Sequence, residues 1–304
     1  MQPLISVCIP SYEDGKAVER AILYLKNQTL EAWECVIGDD SHSDTIKNLV
    51  VKFNDIRIRY IQNVPPLGVP NNWNFILSKA KGKYVTLLHQ DDFYPDKYLL
   101  EKVVSSLEQG DHRFAVCAFS SWEHEKRISL HNHNGYHIKK FLHHFPHRSL
   151  VINRIGHPST IFIKKELTAI MFDTKLRYFL DTDWYARLWL AAGVPLYINN
   201  TDVAIEKGRN FQLSRQCIQK FSNTSKELQY VLNKWNASPK DIALSYARLF
   251  TSHIRHYKFI LPSLKIVLSN FSLYQKIVFL TAVFFLSWHM IYRFFRKKLG
   301  YPWG

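Results

Sequence analysis

Two apolar, β-rich runs in this chain each end in a pair of adjacent carboxylates, and no other feature constrains the fold as strongly. Tyr84-Val85-Thr86-Leu87-Leu88 runs into His89-Gln90-Asp91-Asp92, and Cys35-Val36-Ile37-Gly38 runs into Asp39-Asp40. Neighbouring acids repel, so each pair needs a cation, a hydrogen-bonded ligand or solvent. A single pair is explained by a solvated cap on the next helix. Two pairs, both at strand ends, suit an open α/β sheet, whose ligands bind just beyond the carboxyl ends of the strands.

The first 110 residues fit that sheet. Leu4 to Ile9 is a short apolar strand that stops at Pro10-Ser11-Tyr12-Glu13. Val18, Ile22 and Leu25 give helical spacing over 16–27, and a second strand covers Trp33 to Gly38. Ile46, Leu49, Val50 and Phe53 mark a second helix, followed by a strand from Arg57 to Ile61 and a helix from Asn72 to Ala80. After the strand at Tyr84, Pro95 opens a helical pattern through Leu99, Leu100, Val103, Val104 and Leu107. This alternation predicts a mostly parallel sheet between helices. Glycine-rich dinucleotide and P-loop motifs are absent, so a nucleotide would have to be held some other way.

The ordered series of motifs resembles family-2 glycosyltransferases. It comprises Ile5-Ser6-Val7-x-Ile9-Pro10-x-Tyr12, Val36-Ile37-x-Asp39-Asp40-Ser41-x-Ser43-Asp44, Asn72-Trp73-Asn74 with Ala80-x-Gly82-x-Tyr84, and Gln90-Asp91-Asp92. The likeness covers roughly residues 4–215. It implies a GT-A fold, inverting chemistry and a nucleotide-sugar donor, of the kind used in bacterial cell-surface polysaccharide synthesis. By that resemblance Pro10, Tyr12, Glu13, Asp39, Asp40, Asn74, His89, Gln90 and Asp91 bind the donor. Asp91, with His89, holds the Mg²⁺ or Mn²⁺ that bridges the donor diphosphate. The family's D-x-D triplet reads His89-Gln90-Asp91 here, with imidazole in place of the first carboxylate. The chemistry is consistent: a nucleoside diphosphate leaves well only when its developing charge is offset.

Past residue 110 the patterns thin out. Phe114 to Phe119 is strand-like, and Trp122 to Arg148 is rich in His without zinc-site spacing, which reads as an acceptor-facing insertion. Gly156-His157-Pro158-Ser159-Thr160 precedes a strand at Ile161, and by resemblance His157, Pro158 and Ser159 lie near the acceptor, with Asp181 and Asp92. Asp181-Thr182-Asp183-Trp184 opens a helix. The resemblance makes Asp183 the catalytic base that deprotonates the acceptor hydroxyl, and leaves Asp181 as a cap or acceptor contact. Glu206 to Ser214, with Arg209 and Asn210, reads as a segment closing over the diphosphate.

The remainder, 216–304, is predicted to be a helical tail. Of the +15 formal charge, nine Lys/Arg follow Asp241, the last acidic residue; 31 basic against 25 acidic residues leave +6 for the rest. Basic residues among Phe, Leu and Trp suit an anionic membrane surface, so no nucleic-acid partner is expected. Ile277 to Tyr292 carries no formal charge, but at ~1.5 Å per residue it falls short of a ~30 Å hydrocarbon core. An in-plane or re-entrant helix is the first expectation, a full span the second, a packed soluble helix the third. Cys8, Cys35, Cys117 and Cys217 lie far apart and read as buried thiols in a reducing compartment. Leu4 to Ile9 is too short for a signal peptide and lacks a basic leader, so the catalytic part is expected to stay in the cytoplasm, at the cytoplasmic face of the membrane.

The reading is therefore a GT-A domain over 1–215, with a nucleotide half (1–110) and an acceptor half (111–215), and a membrane-associating tail. The expected function is transfer from a nucleotide-diphosphate donor, UDP above others, to a glycan or lipid-linked acceptor. The rivals are a non-catalytic nucleotide- or sugar-binding protein and a membrane scaffold with purely structural acids.

Overall fold

The computed structural model describes residues 2–123, 125–132, 153, 155–207, 221–257, 260–269 and 271–298, with side chains outside 252–263, 266 and 288–298. Most of the His-rich segment, Arg209, Asn210, Cys217 and the side chains of the basic cluster at 293–298 lie outside what is described. The chain divides into two compact units, Met1–His144 with Asn153–Asn210, and Phe145–Ile152 with Phe211–Gly304.

In the first unit, strands β1 (Ile5–Ser11), β2 (Trp33–Asp39), β3 (Ile58–Gln62) and β4 (Tyr84–Leu87) alternate with helices α1 (Gly15–Lys26), α2 (Thr45–Phe53), α3 (Asn71–Lys79) and α4 (Leu99–Gln109). There follow β5 (Phe114–Glu123), β6 (Lys126–His131), β7 (Ile161–Lys164), helix α5 (Leu180–Ala192) and β8 (Leu196–Glu206). The sheet order is β3-β2-β1-β4-β7-β5-β6, with β8 paired to β5. β1 to β4 pair in parallel, as the alternation predicts, while β7 is antiparallel to both β4 and β5.

Local chemistry accounts for these elements. Asp14 caps α1 by accepting from the Ala17 amide at 3.0 Å, and Val18, Ile22 and Leu25 are buried on one face. β1 and β2 are buried along almost their whole length, as strands of a sheet covered by helices on both sides are. Gly38 is required where α3 crosses β2: a Cβ there would strike the side chains of Ile76 and Asn72. Asn72 also donates to the Gly38 carbonyl at 2.8 Å.

Two parts of the sheet were not foreseen. β8 pairs in parallel with β5, but the register slips between Cys117 and Ala118, so Asn199, Asn200 and Thr201 bulge out. β5 is bordered by β7 over Phe114–Val116 and by β6 from Phe119 onward. The sheet changes partner there, and the 3₁₀ turn Pro158–Thr160 leads into β7.

The second unit contains α6 (Phe221–Lys234), α7 (Pro239–Tyr257), α8 (Ile260–Ser269) and α9 (Leu273–Lys298). Ser238 caps α7, accepting from the Asp241 amide at 3.2 Å and donating to the Asp241 carboxylate. Pro262 sits in the first turn of α8, where a missing N–H costs nothing. Phe279 is fully buried against Phe250 and Phe271, with ring centroids 5.5 and 5.9 Å away. The other side of α9 exposes Leu273, Ile277, Leu280 and Phe284, spaced as a single stripe. Among the described residues no helix is long and apolar enough to cross a membrane, so the full-span expectation finds no support.

Candidate active site

The strand order reverses between β1 and β4, and in such sheets the crevice beside that point is the binding site. Tyr12 and Gln90 close its floor. The Gln90 amide oxygen accepts from the Tyr12 N–H at 2.8 Å, and its NH₂ donates to the Tyr12 carbonyl at 3.2 Å. Gln90 thus acts as a latch between two strand ends. The Tyr12 ring is 47% exposed, open to stack against a ligand, and Pro10 precedes it half-buried.

The acids beyond β2 hold the loops in shape. Asp39 is wholly buried and accepts from the Ser41 amide (3.0 Å), the Ser41 hydroxyl (2.6 Å) and the Tyr60 hydroxyl (2.7 Å). Asp40 accepts from Asn63, Leu67 and Gly68, fixing the loop before α3. Glu13 has φ 52° and accepts from the His42 amide and the Ser43 hydroxyl. Those hydrogen bonds hold its carboxyl below the ordinary value. Asn74 exchanges two bonds with the Phe172 backbone. Asp40, Glu13 and Asn74, expected to touch the donor, therefore direct their side chains to the protein itself.

Beyond β4, His89, Asp91 and Asp92 bring potential ligand atoms within 4.8 Å of one another. The His89 imidazole lies against Trp73, centroids 4.9 Å apart, and its Nε2 is buried without a hydrogen-bond partner. Burial pushes it down to about 4, so at neutral pH the ring is uncharged and free to ligate. Asp92 is buried and accepts from the Ser159 hydroxyl. Burial first, then the charge of Asp91, pushes its carboxyl well up. An orphaned imidazole nitrogen beside two carboxylates fits a divalent ion that accepts mixed nitrogen and oxygen donors.

Three contacts support this turn, and the two from Arg20 and Phe93 carry no sequence signature. Arg20 of α1 donates to the Asp91 carbonyl (2.7 Å) and to Glu206 at the end of β8 (2.6 Å), and its guanidinium sits 4.5 Å over Phe93. Phe93 exchanges backbone bonds with Ala204 of β8. Ser159 also accepts from the His89 amide at 3.1 Å, tying the turn to the segment before β7.

On the acceptor side the two acids of α5 are placed differently. Asp183 is fully buried and bound to Arg187 at 2.9 Å. Asp181 is partly exposed and accepts from the Asn153 side-chain amide at 3.4 Å and from the Thr182 N–H at 2.9 Å. Burial of its carboxyl pushes it up to about 6, within the range of a working base. Asn153 also donates to the Gly156 carbonyl, which joins Asp181 to the turn carrying His157, Pro158 and Ser159. His157 is pushed down to about 4, chiefly by burial.

The parallel four-strand half, the reversal crevice and the strand-end acids define a GT-A nucleotide-sugar transferase fold. The model of the family described as Glycosyl transferase family 2 matches residues 6–169, and the chain belongs to that family. It is 25% identical over 248 residues to an Escherichia coli protein named putative colanic acid biosynthesis glycosyl transferase WcaA, covering 75% of this chain and 86% of that one. It is 34% identical over 131 residues to a Campylobacter jejuni protein named GalNAc(5)-diNAcBac-PP-undecaprenol beta-1,3-glucosyltransferase, covering 42% of this chain and 41% of the relative. A Mycobacterium tuberculosis relative is likewise spanned over 64% of its length, so the chain covers less than two thirds of several curated relatives. Among solved structures, Staphylococcus aureus TarS with UDP-GlcNAc superposes with TM-score 0.60 at 16% identity, over 93% of this chain and 79% of TarS. A Pyrobaculum calidifontis mannosyltransferase with GDP-Man and Mn²⁺ gives 0.59 at 15%, over 98% and 84%.

Proposed function

We propose that this protein is an inverting glycosyltransferase that moves a sugar from a nucleotide-diphosphate donor, a UDP-sugar in our reading, to a glycan or lipid-linked acceptor. The observation that carries this is that the turn before β7 is hydrogen-bonded at one end to the donor turn and at the other, through Asn153, to the Asp181 carboxylate. His89 and Asp92 bond to Ser159, and three residues earlier the same turn bonds through Asn153 to Asp181. The Campylobacter relative, by its name, extends a polyprenol-diphosphate-linked sugar, which supports the acceptor class.

In this mechanism the nucleotide lies across the β1–β4 crevice over Tyr12. Asp181 accepts the proton of an acceptor hydroxyl as its oxygen attacks the anomeric carbon. The nucleoside diphosphate departs from the opposite face, so the configuration inverts. His89 and Asp91 would hold Mg²⁺ or Mn²⁺, and a bound divalent ion offsets the charge that develops on the departing diphosphate. Arg20 keeps the Asp91 turn in place from behind.

The second unit is read as the contact with the cytoplasmic face of the membrane. Its support is the exposed apolar stripe of α9, together with the basic residues Arg293, Arg296, Lys297 and Lys298 in the sequence. The deciding experiment is hydrolysis of a panel of UDP-, GDP- and dTDP-sugars with Mn²⁺, followed by mass spectrometry of the released nucleotide. Release from at least one donor is expected. Intact donors throughout, with no melting shift from UDP, would overturn the reading.

A further inference from the structure

We infer that Gln90 is a positioning residue that couples the metal end of the donor site to its base end. The inference rests on the glycosyl-transfer reading, which puts the ion on His89 and Asp91 and the nucleobase over Tyr12.

β1 and β4 run side by side as far as Cys8 and Leu87, and the Leu88 N–H still donates to the Cys8 carbonyl at 2.9 Å. Beyond that point the backbone pairing ends and the Gln90 side chain takes over. Its amide oxygen accepts from the Tyr12 N–H at 2.8 Å, while its NH₂ donates to the Tyr12 carbonyl at 3.2 Å. A primary amide offers a donor and an acceptor side by side, as a peptide group does. On the other flank the Glu13 N–H donates to the Ser41 hydroxyl at 2.7 Å, and that hydroxyl donates to buried Asp39 at 2.6 Å. Tyr12 and Glu13 are thus suspended between the loop after β2 and the turn after β4.

Gln90 stands between His89 and Asp91, whose potential ligand atoms approach within 4.8 Å of each other. When both neighbours hold an ion, the backbone of Gln90 is restricted, and with it the amide that grips Tyr12. The Tyr12 ring is 47% exposed, so its own packing contributes little to fixing it. Ordering it before the base arrives lowers the entropic cost of stacking, and by linkage the base tightens ion binding by the same factor. A side chain bracing the two strand ends from outside the metal turn would leave the two ligands independent.

Nucleosides separate this link from direct contact, because uridine, guanosine and thymidine carry no phosphate to ligate the ion. Mn²⁺ is titrated into the full chain by electron paramagnetic resonance, with and without each nucleoside near its solubility limit. The readout is the ratio of the two Mn²⁺ dissociation constants within one protein, whatever that protein's own affinity. Wild type is expected to bind Mn²⁺ about fivefold more tightly with at least one nucleoside, the low end of typical couplings. The enhancement should vanish in Gln90→Met, which keeps the length of the side chain and loses both hydrogen bonds. Gln90→Asn, with its amide on a shorter stem, should lose it as well and serves if the Met variant does not fold. Tyr12→Leu removes the ring but keeps the backbone bonds, and it too should show none. Wild type without enhancement, or enhancement kept in any folded variant, would overturn the coupling. Donor hydrolysis alongside that result leaves the enzyme reading intact. If no donor is hydrolysed while the enhancement is present and depends on Gln90, the enzyme reading fails and the coupling stands as a property of a nucleotide-binding site.

Discussion

Asp183 and Arg187 face each other one turn apart on α5, carboxylate to guanidinium at 2.9 Å, with the acid fully buried. Arg187 also donates to the Met171 carbonyl, so the pair fastens α5 to the segment beneath it. Removing one partner of a buried pair costs ~3 kcal/mol. Asp183→Asn is therefore expected to lower the melting temperature by several degrees, at ~2–4 °C per kcal/mol. The folded fraction should retain donor hydrolysis, and calorimetry alongside a hydrolysis assay reads both.

Asp181→Asn should behave in the opposite way. Transfer falls at least ~100-fold, the lower range for loss of a general base, while UDP binding is unchanged. The pH dependence follows from its sign. Burial raises the folded carboxyl to about 6, so its contribution to stability is present at acid pH and lost as pH rises through about 6. The variant should melt no lower than wild type at pH 7.5. Wild-type transfer should climb up to about pH 6 and level off above it, as the base loses its proton. Wild-type transfer rates in Asp181→Asn would remove it from the chemistry.

The contrast between these two acids indicates how far sequence pattern reaches. Residues two apart on a helix point about 200° away from each other, so Asp181 and Asp183 share a motif but not a face. The spacing predicts an acid at the start of α5 and leaves open which one is presented. β1, β2 and β4 were legible because their apolar runs end sharply at Pro10 and at the acid pairs. β8 was not, since Asn199-Asn200-Thr201-Asp202 divides its two apolar halves and the structure absorbs them as a bulge. Likewise Asp40 and Glu13 carry the motif yet serve the loops, because hydrogen-bond partners distant in sequence determine where a carboxylate is directed. Arg20 and Asn153 had no pattern to reveal them.

The metal expectation is tested at Asp91 and His89. Mn²⁺ should bind wild type by electron paramagnetic resonance, more tightly with UDP present, and Asp91→Asn should lose it at least ~10-fold. Because the His89 ring is neutral above about 4, binding should hold steady from pH 6 to 8. His89→Asp adds a hard oxygen donor and should move preference from Mn²⁺ toward Mg²⁺. If chelator leaves UDP binding and turnover unchanged, no metal takes part.

Gly38 offers a stability test away from the reacting groups. Its added methyl in Gly38→Ala would collide with Ile76 and Asn72, and overpacking costs ~1–3 kcal/mol. Urea unfolding should show a lower midpoint with unchanged slope. An unshifted midpoint would mean that α3 lies further from β2 than described.

The last prediction concerns α9. Phe279 holds one side of the helix to its neighbours, while Leu273, Ile277, Leu280 and Phe284 face outward with at least half their surface in water. Each large apolar side chain gains ~1.5–3 kcal/mol when buried, so a stripe of four supplies enough for reversible attachment to a bilayer. Anionic lipid adds ~1 kcal/mol for each Lys or Arg near the surface. Full-length protein should therefore float with vesicles containing phosphatidylglycerol, less so with neutral ones or at high salt. Ile277→Glu combined with Leu280→Glu and Phe284→Glu alters only exposed positions, so the helix should fold as before while flotation is lost. A triple variant that floats like wild type would mean the membrane is met elsewhere on the chain.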